Sequence, residues 1–195
     1  MEPIELAAIR KVREGDADAF EALVARHSRP VYRICHRIVG DAAAAEDAVQ
    51  ETFLRAYRHL GRFDDRAEFS TWIHRIAVNA AIDELRKRKR DRWVGLAEEQ
   101  GPEAPGATVE SHEPAPDRRA LSSELGRATV AALAELTPTE RAAFVLRHYE
   151  GRSIAEISAA IGKRDNATKQ SIFRAVRKLR AALAPLLESP HEALP

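Results

Sequence analysis

The chain has 195 residues, room for one medium domain or two small ones, and is 31% charged but only 6% aromatic. Its single cysteine, Cys35, excludes an internal disulfide and argues against a cysteine-based zinc site. No apolar run approaches the roughly 18 residues of a membrane-spanning helix, and the start does not read as a secretory leader, so a soluble, cytoplasmic protein is expected. The net charge of +1 conceals a pattern: residues 1–93 carry 18 basic and 16 acidic side chains, 94–127 carry 3 and 7, and 128–195 carry 10 and 7.

Alanine, leucine, arginine and glutamate dominate and no alternating run suggests a strand, so an all-α fold is expected. "PIELAAIRKVREG" reads as a short helix ending near Gly15, and Asp16 caps a second, "ADAFEALVARH". Pro30 marks a fresh start or a kink in "PVYRICHRIVG", where Cys35 reads as a packing residue. After Gly40-Asp41 comes "AAAAEDAVQETFLRAYRHL", then a turn, "GRFDDRAE". Residues 94–120 hold four Pro, three Gly and six acids with almost no large apolar residue, a linker composition. The expected division is a helical unit over 1–93, a flexible acidic linker over 94–121, a second unit over 122–187 and a frayed tail over 188–195. In the second unit, "TPTE" at 137–140 and "SIAE" at 153–156 are capping boxes, starting helices near Pro138 and Ile154. Asn166 can cap a last helix, "ATKQSIFRAVRKLRAAL".

Two stretches carry functional character. In "FSTWIHRIAVNAAIDELRKRKR", residues 69–90, helical geometry puts Trp72, Arg75, Asn79, Asp83, Arg86 and Arg90 in one stripe about 80° wide. Most of the rest of the circumference is apolar, so the helix is expected to be buried on most sides with one polar strip facing something charged. The alternative is a core helix with a solvated strip and a snorkelling basic end. In the second unit, two short-spaced helices after a supporting one make a helix-turn-helix pattern. Its last helix has an apolar face of Thr168, Ile172, Val176, Leu179 and Leu183, while Lys169, Gln170, Ser171, Phe173, Arg174 and Arg177 fall on the other. An aromatic among basic residues suits DNA, with Phe173 against a thymine methyl and Gln170 or Arg174 at a base edge. The alternative is a tri-helical protein-interaction domain whose third helix covers Phe173.

"AEDAVQETFLRAYRHLGRFDDRAEFSTWIHRIAVNAAIDELRKRKR" closely resembles region 2 of bacterial extracytoplasmic-function sigma factors. "LTPTERAAFVLRHYEGRSIAEISAAIGKRDNATKQSIFRAVRKLRAAL" resembles their region 4, and the order of the two matches as well. The resemblance implies two small helical domains and a transcription initiation factor without catalytic chemistry or cofactor. Such a factor recruits core RNA polymerase to chosen promoters, helps melt them, and is held in check by an anti-sigma factor. It implies core polymerase contacts from Asp47, Gln50, Glu51, Leu54 and Arg58. For the minus-10 promoter element it implies a base-capturing loop at Gly61–Glu68, with Arg62 and Phe63, followed by Phe69, Trp72, Arg75, Asn79, Arg86, Arg88 and Arg90. Phe69 and Trp72 have core packing as an equal alternative role, and Asp83 is expected to orient a basic neighbour. For the minus-35 element it implies Arg164, Lys169, Gln170, Phe173, Arg174 and Arg177, although "GKRDNATKQSIFRA" departs from the family's usual reading helix.

The competing functions are a free-standing helix-turn-helix repressor, which leaves "EDAVQETFLRAY" unexplained, and a helical adaptor that binds only protein. No phosphate-binding glycine loop, nucleophile–base set or metal cluster points to an enzyme. The linker predicts domains that move independently, so a single packed arrangement would require an interface between them.

Overall fold

A computed structural model describes residues 2–98 and 126–188. All regular structure among them is helical: α1 (Pro3–Arg13), α2 (Phe20–Val39), α3 (Ala42–His59), α4 (Phe69–Glu98), α5 (126–134), α6 (Pro138–His148), α7 (Ile154–Ile161) and α8 (Asp165–Glu188), with 3-10 turns at Ala17–Ala19 and Leu60–Arg62. Most of the stretch predicted to be the linker, and nearly all of the predicted tail, lie outside the described residues.

Local chemistry explains most boundaries. Asp16 accepts from Ala19 N and Asp41 from Ala44 N, capping the turns that open α2 and α3. Both predicted capping boxes are present: Thr137 with Glu140 starts α6, and Ser153 with Glu156 starts α7. Gly40 and Gly162 end α2 and α7 in the left-handed conformation. Pro30 neither starts nor ends a helix; it sits inside a continuous α2. The helix α4 also runs on to Glu98, past the predicted boundary at 93.

The α2, α3 and α4 helices form the centre of the first unit and α1 packs against α2. Leu23, Val31, Ile38, Phe69, Ile73 and Val78 are essentially fully buried there, each side chain contributing roughly 1.5–3 kcal/mol by leaving water. Cys35 is buried among them, and burial pushes its thiol up to about 12, so it packs as a small hydrophobe. The second unit has a small core of its own, where Ala175 and Leu179 of α8 meet Ala132, Leu133 and Leu136, with Phe144 at its edge. Most of the apolar side chains of α6 and α7 do not join it. Ala142, Ala143, Val145, Leu146, Ile157 and Ile161 belong to the core of the first unit. The two units therefore share one apolar interface, built where α6 and α7 meet α4 and where α6 meets α2.

Candidate polymerase- and DNA-binding surfaces

The α3 surface comes first in the chain. Thr52, Phe53 and Ala56 are buried, which turns Asp47, Gln50, Leu54 and Arg58 outward in one exposed row. Leu54 is half exposed, and Tyr57 beside it is 45% exposed although its ring meets Phe20 edge-on at 5.2 Å. Glu51 is half-buried and accepts from Arg55 Nε at 2.6 Å, while Arg55 Nη1 donates to Asp83 of α4 at 2.9 Å. The hydrogen bond to Asp83 leads in raising the Arg55 pKa. Asp83 also accepts from Arg86 at 3.3 Å. Asp83 thus orients basic neighbours, and Arg55, which no sequence pattern singled out, ties the α3 surface to α4. A groove of about 350 Å³ between the helices is lined by Asp47, Glu51, Asp83, Arg86 and Arg90.

The α4 strip is where sequence expectation and structure diverge in detail. The helix is buried on most sides, as its wheel predicts. Phe63, Phe69 and Trp72 form one aromatic cluster with centroid separations of 5.1–5.6 Å, and His27 lies 5.1 Å from Phe69. Phe69 is fully buried and Phe63 nearly so, so both pack in this arrangement; Trp72 is half-buried at the edge. Arg62, Arg75, Arg86 and Arg90 are exposed. Arg88 is half-buried and pairs with Asp41 at 3.1 Å. Hydrogen bonding from Ala44 N leads in holding the Asp41 carboxyl below the usual carboxylate range; burial opposes it, and this arginine adds to the lowering. Asn79 Nδ2 donates to Arg75 O at 2.8 Å and, across the two units, to Ala160 O of α7 at 3.0 Å.

Other ties hold the units together beside Asn79. Arg37 of α2 pairs with Glu150 and sits 5.8 Å from the Tyr149 ring centroid. Arg141 of α6 is buried with no acid paired to it among the described residues, and its Nε has no hydrogen-bond partner. Burial, reinforced by Arg88, pushes its guanidinium down to about 10. It passes so close to Gly40 that a Cβ there would collide with it. His74 has both ring nitrogens buried without partners, and burial lowers its pKa to about 4, with the charges of Arg152, His27 and Arg33 acting in the same sense.

Arg164, just before α8, and Lys169, Gln170, Phe173, Arg174 and Arg177 on it are all exposed, Phe173 by 67%. Phe173, Ile172 and Val176 line a groove of about 540 Å³ rimmed by Lys169, Arg177 and Arg180. Among the described residues, the buried positions of α8 are Thr168, Ser171, Ala175 and Leu179; Ile172 and Val176 are half-buried, and Ile172 also packs against the larger core. Ser171 is therefore interior, donating to Ala167 O at 2.9 Å, and Thr168 is joined to Ser158 of α7 at 2.9 Å. Arg174 is half committed already: Glu140 lies 3.4 Å from its Nε and 2.7 Å from Lys178 Nζ. Burial would raise the Glu140 pKa, but Lys178 and the Thr137 backbone outweigh it and hold the carboxyl below its ordinary value.

The family model for Sigma-70 region 2 matches residues 23–91, and that for Sigma-70 region 4 matches 127–179. The chain belongs to the extracytoplasmic-function sigma factors of bacterial RNA polymerase. It is 34% identical to the extracytoplasmic-function sigma factor SigW of Bacillus subtilis over 95% of this chain and the whole of that one. It is 32% identical to the sigma-H factor of Pseudomonas aeruginosa, covering 92% and 93% of the two chains. Among solved structures, CnrH in complex with the cytosolic domain of CnrY aligns with a TM-score of 0.58 at 26% identity, covering 94% of this chain and 99% of that one. The sigma factor RpoE bound to the anti-sigma factor NepR, from Bartonella quintana, shares the fold with a TM-score of 0.62 at 21% identity, covering 85% and 96%. The α1 helix lies before the region 2 match. No described helix is long and apolar enough to cross a membrane.

Proposed function

We propose that this sigma factor works in the cytoplasm in two arrangements: the packed one described above, and an opened one that reads promoters. Its function as an initiation factor assigns the exposed row Asp47, Gln50, Leu54 and Arg58, with the Glu51–Arg55 pair behind it, to core RNA polymerase. The Gly61–Glu68 loop and the exposed strip of α4 take the minus-10 element, and the exposed face of α8 takes the minus-35 element in duplex DNA.

The observation that carries the two-arrangement reading is the hydrogen bond from Asn79 to Ala160 O. It puts α7, the helix before the reading helix, directly on the strip of α4 assigned to minus-10 DNA. Two elements about 25 base pairs apart are separated by roughly 85 Å of duplex at 3.4 Å per pair. Units in contact cannot sit on both. The 27 residues between α4 and α5 would reach up to about 95 Å if extended, enough to let them part. The buried, unpaired Arg141 makes the packed form less stable than its apolar contacts alone would, because a cation without a partner is costly away from water. A second protein can hold the packed form shut, and an anti-sigma factor is the partner proposed for this role, by likeness to CnrH with CnrY.

Run-off transcription tests the assignment: core polymerase with and without this protein, on a pool of genomic promoter fragments. New discrete transcripts that disappear with the Lys169→Ala/Arg174→Ala double variant are expected. No transcripts together with no binding to core polymerase would overturn it and leave a free-standing repressor or an adaptor.

A further inference from the structure

The connection from α3 to α4 is exposed at Gly61, Arg62 and from Asp64 to Glu68. Exposed connections ordinarily sample many shapes. This one is tied down in three ways. The Phe63 side chain is buried in the aromatic cluster. Asp64 makes a local turn, accepting from Arg66 N at 3.0 Å while its carbonyl accepts from Ala67 N at 2.9 Å. The third tie comes from the far end of the unit. Arg13, the last residue of α1, donates from Nε and Nη2 to Leu60 O at 3.3 Å, from Nη2 to Phe63 O at 2.5 Å, and from Nη1 to the two Asp65 carboxylate oxygens at 2.9 and 3.1 Å.

One guanidinium therefore uses all three nitrogens to set the positions of Leu60, Phe63 and Asp65. Leu60 and Phe63 supply backbone carbonyls, so the tie fixes the chain path and not merely a side chain. A lysine could not replace it, because a single ammonium lacks the planar fork that meets three separate acceptors. Holding α1 against the unit does not require this geometry. That helix is already docked by Ala8 and Ile9 in the core, by Glu5 at 2.9 Å from His27 Nε2, and by Arg26 at 3.0 Å from Glu5.

We propose that Arg13 is a positioning residue for promoter opening, holding Gly61–Glu68 in the shape that receives an unstacked base. The proposal rests on the assignment of this loop to the minus-10 element. A loop already in its binding shape need not be ordered when the base arrives, and what would have been spent on ordering appears as affinity. The benefit is tied to the captured base and not to the phosphates, which Arg62, Arg75 and their neighbours meet whether or not a base is captured.

The test uses holoenzyme made from the full chain and core polymerase. The probe is a fluorescein-labelled non-template oligonucleotide spanning the minus-10 element of a promoter recovered by run-off transcription, with an abasic site introduced at one position at a time. Wild type is expected to lose about tenfold in affinity or more at the captured position, a difference of about 1.4 kcal/mol. Arg13→Ala is expected to bind the intact strand about tenfold more weakly yet match wild type on the strand abasic at that position, the signature of a coupled pair. Arg13→Lys is expected to behave like Arg13→Ala, and Asp65→Ala to shrink the same abasic penalty by a smaller factor. Arg13→Ala weakening every strand alike, or keeping the full abasic penalty, would overturn the proposal while leaving base capture intact. Wild type without an abasic penalty at any position would overturn base capture and the proposal with it. Should Arg13→Ala fail to fold, the abasic penalty of the surface variant Asp65→Ala decides in the same way.

Discussion

The two units solve the problem of a small domain differently. Region 2 closes a core with three long helices, and Phe69, Ile73 and Val78 of α4 are buried within it. Among the described residues, region 4 has five buried apolar side chains in its own cluster and places six from α6 and α7 in the neighbour's core instead. Small helical units are marginal because too little of their surface can be buried. Region 4 gains apolar burial from contact with region 2, while region 2 has enough without it. The difference implies that damage to the region 2 core should be global, whereas damage at the shared interface should change the arrangement of two units that each stay folded.

The largest effect breaks region 2 itself. Phe69→Ala empties a fully buried ring site at the centre of the aromatic cluster and should lower stability by about 3–5 kcal/mol, seen in chemical denaturation. A loss below about 1 kcal/mol would mean that the ring site is not the tight core position described. Next comes the interface. Arg37→Glu sets two carboxylates against each other where Arg37 meets Glu150, and also removes the cation beside Tyr149. It should shift the equilibrium towards separated units by about 2 kcal/mol, allowing for the partial exposure of the pair. Energy transfer between dyes on α1 and α8 should fall, with helicity by circular dichroism unchanged. Loss of helicity instead would mean that region 4 cannot fold apart from region 2.

A third, smaller effect is pH dependence at His74. Burial lowers its pKa from 6.5 to about 4, so the folded protein binds the proton less readily than the unfolded chain does. Its contribution is then fully present above about pH 6.5 and is lost as the pH falls from there towards 4. The groups that face it are Arg33 and His27 from α2 and Glu150 and Arg152 from region 4; of these, only Glu150 favours the charged ring. Between pH 6.5 and 4.5 stability should fall by roughly 1–2 kcal/mol more in wild type than in His74→Phe. Equal slopes for the two proteins would remove His74 from the account.

The sequence was most informative where the physics is local. Thr137, Glu140, Ser153 and Glu156 announce two helix starts because a cap and its partner lie three residues apart. The burial pattern of α4 was legible because one helix repeats its own period. What stayed hidden joins distant parts of the chain. Arg13 lies 47–52 residues from the atoms it holds, Arg55 lies 28 from Asp83, and Asn79 lies 81 from Ala160. No periodicity records such pairs. The buried side of α8 was legible at Thr168, Ile172 and Leu179 but not at Ser171, for a related reason. Ser171 and Ala175 look unremarkable on a wheel, but both are buried, so the packed face widens to include them beside Thr168 and Leu179, while Ile172 and Val176 stay half-buried and also line the groove. The interface between the units was equally invisible, since its apolar residues are the ones that an isolated helix-turn-helix would be expected to keep for itself.

The finest distinction concerns neighbours on the reading helix, Lys169 and Gln170, both exposed on α8. A lysine is a mobile point charge suited to phosphate, and a glutamine carries a donor and an acceptor suited to a base edge. Lys169→Ala should weaken holoenzyme binding to all promoters by a similar factor and flatten the plot of log affinity against log salt by about 0.9, the release of one counterion. Gln170→Ala should leave that slope unchanged and instead relax the choice of base at one or two positions of the minus-35 element. If the two variants gave the same salt slope, Lys169 would not be on a phosphate. If Gln170→Ala kept the full sequence preference, the reading would have to be assigned to Arg174, whose guanidinium would first have to leave Glu140. That exchange would strip Glu140 of one of its cations while Lys178 stays at 2.7 Å, so base reading by Arg174 would be felt at the N-terminus of α6, where the same carboxylate closes the capping box.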